Sequence, residues 1–390
     1  MPVKLSSSGG GSVTLDTPST ASNYTVTLPA ANATLADTSS TQTLTNKTLT
    51  AAGSNTVEAT SGPTSTQLGG MRNKIINGAM MIDQRNAGAS VTPSASYTLD
   101  RWLANNSQAG KYTVQQNAGS VTPPAGFTNY LGVTSTSSYS IISTDYFWVG
   151  QLVEGFNMAD LAWGTASAQS ITISFWVRSS LTGTFAGGLR NANANRSYGF
   201  NYTISSANTW EFKTVTIAGE TSGTWNTTNS VGIRLEFSLG VGSTYTQAAG
   251  SWSSGNYDVA SGGQSIVGTN GATFYITGVQ LEKGATATPF ENRLYGTELA
   301  LCQRCYQKMT SLLCAGYQGS GTQTYYSGST SFLVEMRTTP TLSLSNFVNS
   351  NSGNATASGV SSRCFRFFAT NTVAGPAYSL FDMETTGAEL

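Results

Sequence analysis

Cys302-Gln303-Arg304-Cys305 has the spacing of a redox or zinc-binding pair, and Cys314 and Cys364 could supply two further thiolates. A structural zinc needs four ligands at the corners of a tetrahedron. The second pair lacks the spacing, and the chain has no histidine to stand in. At positions i and i+3 of a helix both cysteines share one face. Burial in a core is therefore the first expectation for the pair, with a zinc site and a disulfide as alternatives. The missing histidine also removes the commonest general base and excludes Ser-His-Asp and Cys-His catalysis within the chain. Paired carboxylates survive that exclusion, and glycoside hydrolysis needs two of them roughly 5–9.5 Å apart. Asp145, Glu154, Asp160, Glu211, Glu236 and Asp258 are candidates. No motif singles out a pair, and Glu211 and Glu236 fall on strand positions expected to face solvent. The expectation is a protein that is not an enzyme, with no cofactor and no metal.

Five aromatic residues sit in turn-rich stretches: Tyr198, Trp225, Tyr245, Trp252 and Tyr257. Sugars present C–H faces that pack on rings, while neighbouring Asn, Asp and Ser bond the hydroxyls. These five are the candidate carbohydrate-binding residues. The plainer alternative is that the rings cap the ends of a β-sandwich or fill subunit contacts.

The elements that would position these residues follow from composition and periodicity. With 390 residues the chain exceeds one ordinary domain. Only 10% of residues are charged, against an average of about 25%. Ser, Thr, Asn and Gln take their place, and a 10% share of aromatics leaves material for a core. Nineteen Lys and Arg balance nineteen Asp and Glu, so the basic surplus of a nucleic-acid binder is missing. No apolar run approaches the roughly 18 residues of a membrane span, and Met1-Pro2-Val3-Lys4-Leu5-Ser6 has no apolar signal core. A neutral, polar, outward-facing protein without a secretion signal is expected to leave a cytoplasm by lysis, as part of a virus particle.

Residues 1–70 carry short alternating runs at Ser12-Val13-Thr14-Leu15, Tyr24 to Pro29 and Thr41 to Leu49. Each has too few apolar side chains for a core of its own, so this region is expected to be extended or β and steadied by identical neighbours or a docking partner, or else to be a disordered polar arm. Residues 71–292 hold the densest strand signals. Ile171, Ile173, Phe175 and Val177 alternate; Trp210, Phe212, Val215 and Ile217 repeat the pattern with one phase shift, read as a bulge. Val231 to Phe237 reads as a half-buried strand, and Ala272 to Leu281 closes the block. This predicts an antiparallel, jelly-roll-like β-sandwich. Residues 293–312 are expected to hold one short linking helix, with Thr297 as its cap. Residues 313–390 return to strands at 322–326, 331–337, 341–344 and 363–368, a small β domain that would gain from packing against copies of itself.

The stretch Asn73-Lys74-Ile75-Ile76-Asn77-Gly78-Ala79-Met80-Met81-Ile82-Asp83-Gln84-Arg85, followed by Tyr97-Thr98-Leu99-Asp100-Arg101-Trp102, resembles the opening of a β-sandwich module common in phage and prophage tail fibres. Ile276 to Gly284, then Thr288-Pro289-Phe290-Glu291, Glu298-Leu299 and Cys302-Gln303-Arg304, resembles its end. Leu44-Thr45-Asn46-Lys47-Thr48-Leu49 and the terminal Ala388-Glu389-Leu390 are similar to segments of such fibres. One departure is Cys305, where the family has an aromatic residue. The resemblance implies a sandwich like that of carbohydrate-binding modules, a homotrimer and a place on the virion.

Together these readings predict an all-β homotrimer. Residues 1–70 would attach it to another virion protein, the sandwich would contact a host-surface glycan, and residues 313–390 would form a distal knob. A tail location is expected before a head one, without nucleic-acid binding or membrane insertion. A capsid head fibre or decoration protein is the first alternative and a polysaccharide-degrading tailspike the second; the tandem repeats of a parallel β-helix are not visible.

Overall fold

The structure is a computed structural model that describes residues 3–6, 9–10, 12–15, 71–318 and 322–390. It divides into two compact units, 1–58 and 59–390. Within the first, Val3–Ser6 pairs antiparallel with Ser12–Leu15, and Val3 stands opposite Leu15. The runs at 24–29 and 41–49 lie outside the described residues.

The second unit contains a β-sandwich. Its larger sheet has seven strands in the order Trp252–Ser254, Arg196–Ile204, Gly183–Arg190, Val231–Val241, Tyr146–Glu154, Trp102–Asn106, Ser96–Leu99. The smaller has five: Glu211–Ile217, Ile171–Ser179, Thr273–Lys283, Leu131–Ser135, Tyr112–Gln116. All neighbouring strands in both sheets run antiparallel. The alternation at 171, 173, 175 and 177 does what period 2 demands: all four side chains are buried between the sheets. Phe175 of the smaller sheet meets Phe237 of the larger edge-to-face at 5.0 Å. Each such fully buried side chain contributes about 1.5–3 kcal/mol.

Two expectations about this unit need correction. The strand Val231–Val241 is not half wet, because the segment after it folds back over the outer face of the larger sheet. There Thr246–Gln247 and Val259–Ala260 pair in parallel. Gly188 permits the close approach, since a Cβ on it would lie 2.0 Å from the Asp258 carbonyl oxygen. Nor does Glu211–Ile217 contain a bulge: its register against Ile171–Val177 is unbroken.

The helix is Tyr295–Gln303, and Thr297 is not its cap. Leu294 occupies the N-cap position, and no side chain caps the end. Glu298 in the first turn instead accepts the Asn77 N–H and pairs with Arg293, which suits a negative group near a helix N-terminus. A strand begins at Lys308, inside the stretch expected to be helical linker.

Beyond the helix lies a second, separate core around Phe365, Phe367, Phe381 and Met383. A three-stranded sheet, Lys308–Gln318, Gly375–Thr386, Thr341–Ser350, covers one side. Cys364–Thr370, flanked by Thr324–Tyr326, Thr330–Ser331 and Thr356–Ser358, covers the other. The run 331–337 is not a strand beyond Ser331: Phe332 and Met336 turn inward four residues apart, and Gln307 ties down the Leu333 N–H and the Val334 carbonyl. The strand Gly375–Thr386, which pairs with both sheet neighbours, escaped the reading because its first inward positions are the small Ala377 and Ser379.

Candidate functional site

Among the described residues, those of the sandwich behind the tail-fibre resemblance converge, and they bind each other. Asn73 donates to the Val279 carbonyl at 3.1 Å and accepts from the Ile75 and Leu281 N–H groups. Asn77 donates to the carbonyls of Ile82 and Asp100, and the Trp102 indole donates to Asn77 O at 3.0 Å. Glu291 accepts the Asn73 N–H, and its own N–H donates to Gln280. Glu282 accepts both the N–H and the hydroxyl of Thr288. Gln84 donates twice to Asp100, whose carboxyl burial pushes up to about 6. Buried polar groups must be paired; here the pairing staples the first residues of the sandwich to its last strand and to the helix.

The terminal Ala388-Glu389-Leu390 does the same between the two cores. Glu389 pairs with Arg85 at 2.6 Å and with the buried Arg101. Arg337 donates to the carbonyls of Ala388 and Glu389, and Tyr97 donates to that of Leu390. Cys302 and Cys305 lie buried beside this clamp as free thiols. Burial pushes both thiols up, which holds them in the unreactive protonated form. Cys314 is buried in the second core, and Cys364 is half-buried.

Of the carboxylate candidates, only Glu236 and Asp258 come together. Both flank the Arg190 guanidinium, at 3.3 Å and 2.8 Å. Glu236 is therefore not solvent-facing; the folded-back segment seals it, and burial pushes it up to about 8. Asp145 is held by Ser107, Tyr139 and the Ile142 N–H. Glu154 forms a two-pronged pair with Arg304, Asp160 pairs with Lys74, and Glu211 binds Lys213 and the N–H groups of Ser205 and Ser206.

Three of the five aromatic candidates meet. Tyr198, Trp225 and Trp252 gather with Trp163, the three tryptophans edge-to-face at 4.8–5.5 Å. Their indole N–H groups donate to the carbonyls of Gln169, Ser222 and Ala218. The cluster packs against the sandwich core with its outer rings half-exposed. Tyr245 packs instead on Tyr146 at 5.6 Å, and Tyr257 lies against Gly255.

A different set of rings frames an open groove of about 340 Å³ on the outer face of the five-stranded sheet. Phe212 and Trp176 stand directly opposite on neighbouring strands, 5.4 Å apart. Phe127 and Phe290 form the facing wall at 5.1 Å. Phe127 lies over Gly278, where the backbone has a φ of 61° and a Cβ would come within 2.6 Å of the ring. That glycine serves both the bulge in Thr273–Lys283 and the wall of the groove. Ser174, Thr288 and Asn292 supply the polar lining, and among the described residues no charged side chain lines the groove. Farther along the same face, Tyr130 packs on Tyr275 and Trp210 at 5.1 and 5.5 Å.

The phase shift at Trp210 and Phe212 was the available signal for this site. It marks not a bulge but a change of face: Val215 and Ile217 point into the core, while Phe212 points out and is 47% exposed. A second cleft of about 410 Å³ lies beside the Lys74–Asp160 pair, with Phe156 and Leu301 on its walls.

No family model and no curated protein matches the chain. Some solved structures resemble parts of it. The enzymatically active domain of tailspike protein 4 from Bacteriophage CBA120 is 12% identical over 55% of this chain, with a TM-score of 0.31. The match spans 22% of that tailspike's length. A family 11 carbohydrate-binding module from Clostridium thermocellum, in complex with a mixed-linked tetrasaccharide, is 12% identical, covering 51% of this chain and 98% of the module at a TM-score of 0.26. A module in complex with β-1,4-galactotriose (TmCBM61) is 11% identical, covering 55% of this chain and 99% of the module at 0.27.

Proposed function

We propose that this chain is a structural subunit of a phage particle, a trimeric tail fibre whose sandwich holds a neutral glycan on the host surface without cutting it. The groove on the outer face of the five-stranded sheet carries the reading. Its size is that of a small-ligand site. Its four rings offer flat apolar surfaces for the C–H faces of sugars, and its hydroxyls and amide offer partners for sugar hydroxyls. An uncharged lining suits neutral sugars better than uronates or phosphates. The equal numbers of acidic and basic residues also speak against a nucleic-acid partner. The half-exposed rings of Tyr198, Trp225 and Trp252 are a second place where a sugar could rest.

Against hydrolysis by the carboxylates singled out in the sequence stands the position of Glu236 and Asp258, at 0% and 4% exposure: the two of that set that converge are out of a substrate's reach. In a trimer, weak sugar contacts would act together, and avidity would exceed single-site affinity by about 10²–10⁴. Residues 1–70 attach the fibre to another virion protein in this reading. A head fibre would differ in that attachment alone, which imaging of intact particles distinguishes.

The test is electrophoresis of the full chain through gels containing host-surface polysaccharides, with analysis of released sugars. Retardation without released oligosaccharide supports the reading. Released oligosaccharides make the chain a tailspike enzyme, and no retardation in any neutral polysaccharide overturns the glycan assignment.

A further inference from the structure

We propose that Thr288 and Gln280 become joined by an intramolecular ester, formed by the chain itself with Glu282 as the base. The three side chains meet where the last strand of the sandwich, Thr273–Lys283, adjoins the segment 284–291. Gln280 and Glu282 are fully buried and Thr288 is half-buried. The Thr288 hydroxyl donates to Glu282 Oε2 at 2.6 Å. A hydroxyl becomes a nucleophile when a base within hydrogen-bond reach takes its proton. The Gln280 amide nitrogen lies 3.3 Å from the same Thr288 oxygen, which puts the amide carbon beside the nucleophile. The terminal torsion of glutamine is broad, so the amide can tilt that carbon toward the hydroxyl.

Two further contacts complete the parts of an acyl-transfer site. The Gln280 carbonyl oxygen accepts the Glu291 N–H at 2.8 Å. That donor fixes which end of the amide is oxygen, and its distance suits the negative oxygen of a tetrahedral intermediate. The Gln280 nitrogen donates to the other Glu282 oxygen, Oε1, at 2.9 Å. One carboxylate therefore faces both the proton to be taken and the nitrogen that must receive it. The Thr288 N–H at 2.8 Å from Oε1 and Arg72 Nε at 3.9 Å from Oε2 keep the carboxylate in place. Buried amides that only brace the backbone, such as Asn73, Asn77 and Gln151, donate to carbonyls. Gln280 adds a hydroxyl that a carboxylate has already engaged.

The step balances without an oxidant, a reductant or a co-reactant. Thr288 Oγ attacks Gln280 Cδ while its proton passes to Glu282. The intermediate collapses by breaking the Cδ–Nε2 bond, and Glu282 returns the proton to the departing nitrogen. The products are the ester and one ammonia. Ser174 and Asn292 keep their polar groups for the groove that Thr288 also lines. The link ties the last strand to the segment carrying Phe290, a wall of that groove, and Glu291, which accepts the Arg72 and Asn73 N–H groups. It does not depend on which ligand the groove takes.

Trypsin digestion of the folded full chain, read by mass spectrometry, tests the link. Cleavage after Arg234, Lys283 and Arg293 puts Gln280 and Thr288 in separate peptides. The expected result is that these two peptides travel as one species, lighter than their sum by one ammonia, and separate in mild hydroxylamine, which cleaves esters and spares amides. Thr288→Val and Glu282→Gln should each give two free peptides with Gln280 intact, and Thr288→Ser should keep the link. The wild-type digest decides the question even if Glu282→Gln disturbs folding. Two free peptides with intact Gln280 from the wild-type chain overturn the ester, and so does a link that persists in Thr288→Val.

Discussion

The sandwich and the C-terminal unit are both antiparallel sheets around aromatic cores, but they treat their outer sheet faces differently. The sandwich covers one outer face with residues 242–263 and furnishes the other with rings set among hydroxyls. The C-terminal unit leaves Leu313, Val348 and Tyr378 exposed. Rings beside hydroxyls suit a ligand that is itself half apolar and half polar. Under the proposed function the first surface would hold sugar; the second presents exposed apolar side chains without such a setting of rings.

The comparison can be strained at several points, and the largest effect is expected at the covered face. Arg190→Ala would leave Glu236 and Asp258 buried without their cation. A loss of about 3–5 kcal/mol is expected in denaturant unfolding, with part restored when Glu236→Gln is added. Next comes the clamp between the two regions. Glu389→Ala removes the partner of Arg85 and the buried Arg101. It should cost about 1.5–3 kcal/mol and split a single calorimetric transition into two, one for each core. If the transition stays single, the clamp does not couple them.

Smaller effects should separate the two sets of rings. Trp176→Ala is expected to weaken glycan binding about tenfold, or about 1.4 kcal/mol, with little change in melting temperature. Trp225→Ala should do the reverse, because its indole holds the Ser222 carbonyl and packs on Trp163 and Trp252. Equal losses of binding from both variants would move the sugar to the tryptophan cluster.

A separate effect is on pH. Burial pushes Glu236 up to about 8, from about 4.3 in an unfolded chain. Between those values the folded state holds a proton that the unfolded state has released, so stability falls as pH rises across the window. The contribution is fully present below about 4.3 and gone above 8. Melting curves at pH 6 and 8.5 measure it, and Glu236→Gln should flatten the dependence.

Much of the sandwich was legible because period 2 is unambiguous where one face is buried. Ile171, Ile173, Phe175 and Val177 admitted one reading. Cys302 and Cys305 are both buried as expected, but Cys305 lies past the helix end at Gln303, so a shared helical face is not the reason. What local pattern could not convey was the fate of the other face. Glu236 alternates like a wet residue, and only the return of Asp258 over Gly188 buries it. Phe212 and Trp176 come from segments about 35 residues apart, and Phe127 and Phe290 from farther still, so the groove exists only once the sheet is paired. Phe332 to Arg337 has the composition of a strand, but Gln307 takes its backbone partners first. The motif residues Asn73 and Asn77 were visible, yet the partners of their side chains are backbone groups, which no pattern of side chains reveals.

The proposed function requires the uncharged groove to take a neutral sugar. Calorimetric titration of the full chain with neutral oligosaccharides, at low and high salt and with Trp176→Ala in parallel, tests it most directly. Binding that is indifferent to salt and lost with Trp176 is the expected result. Binding that fades with salt, or that survives intact without Trp176, would contradict it.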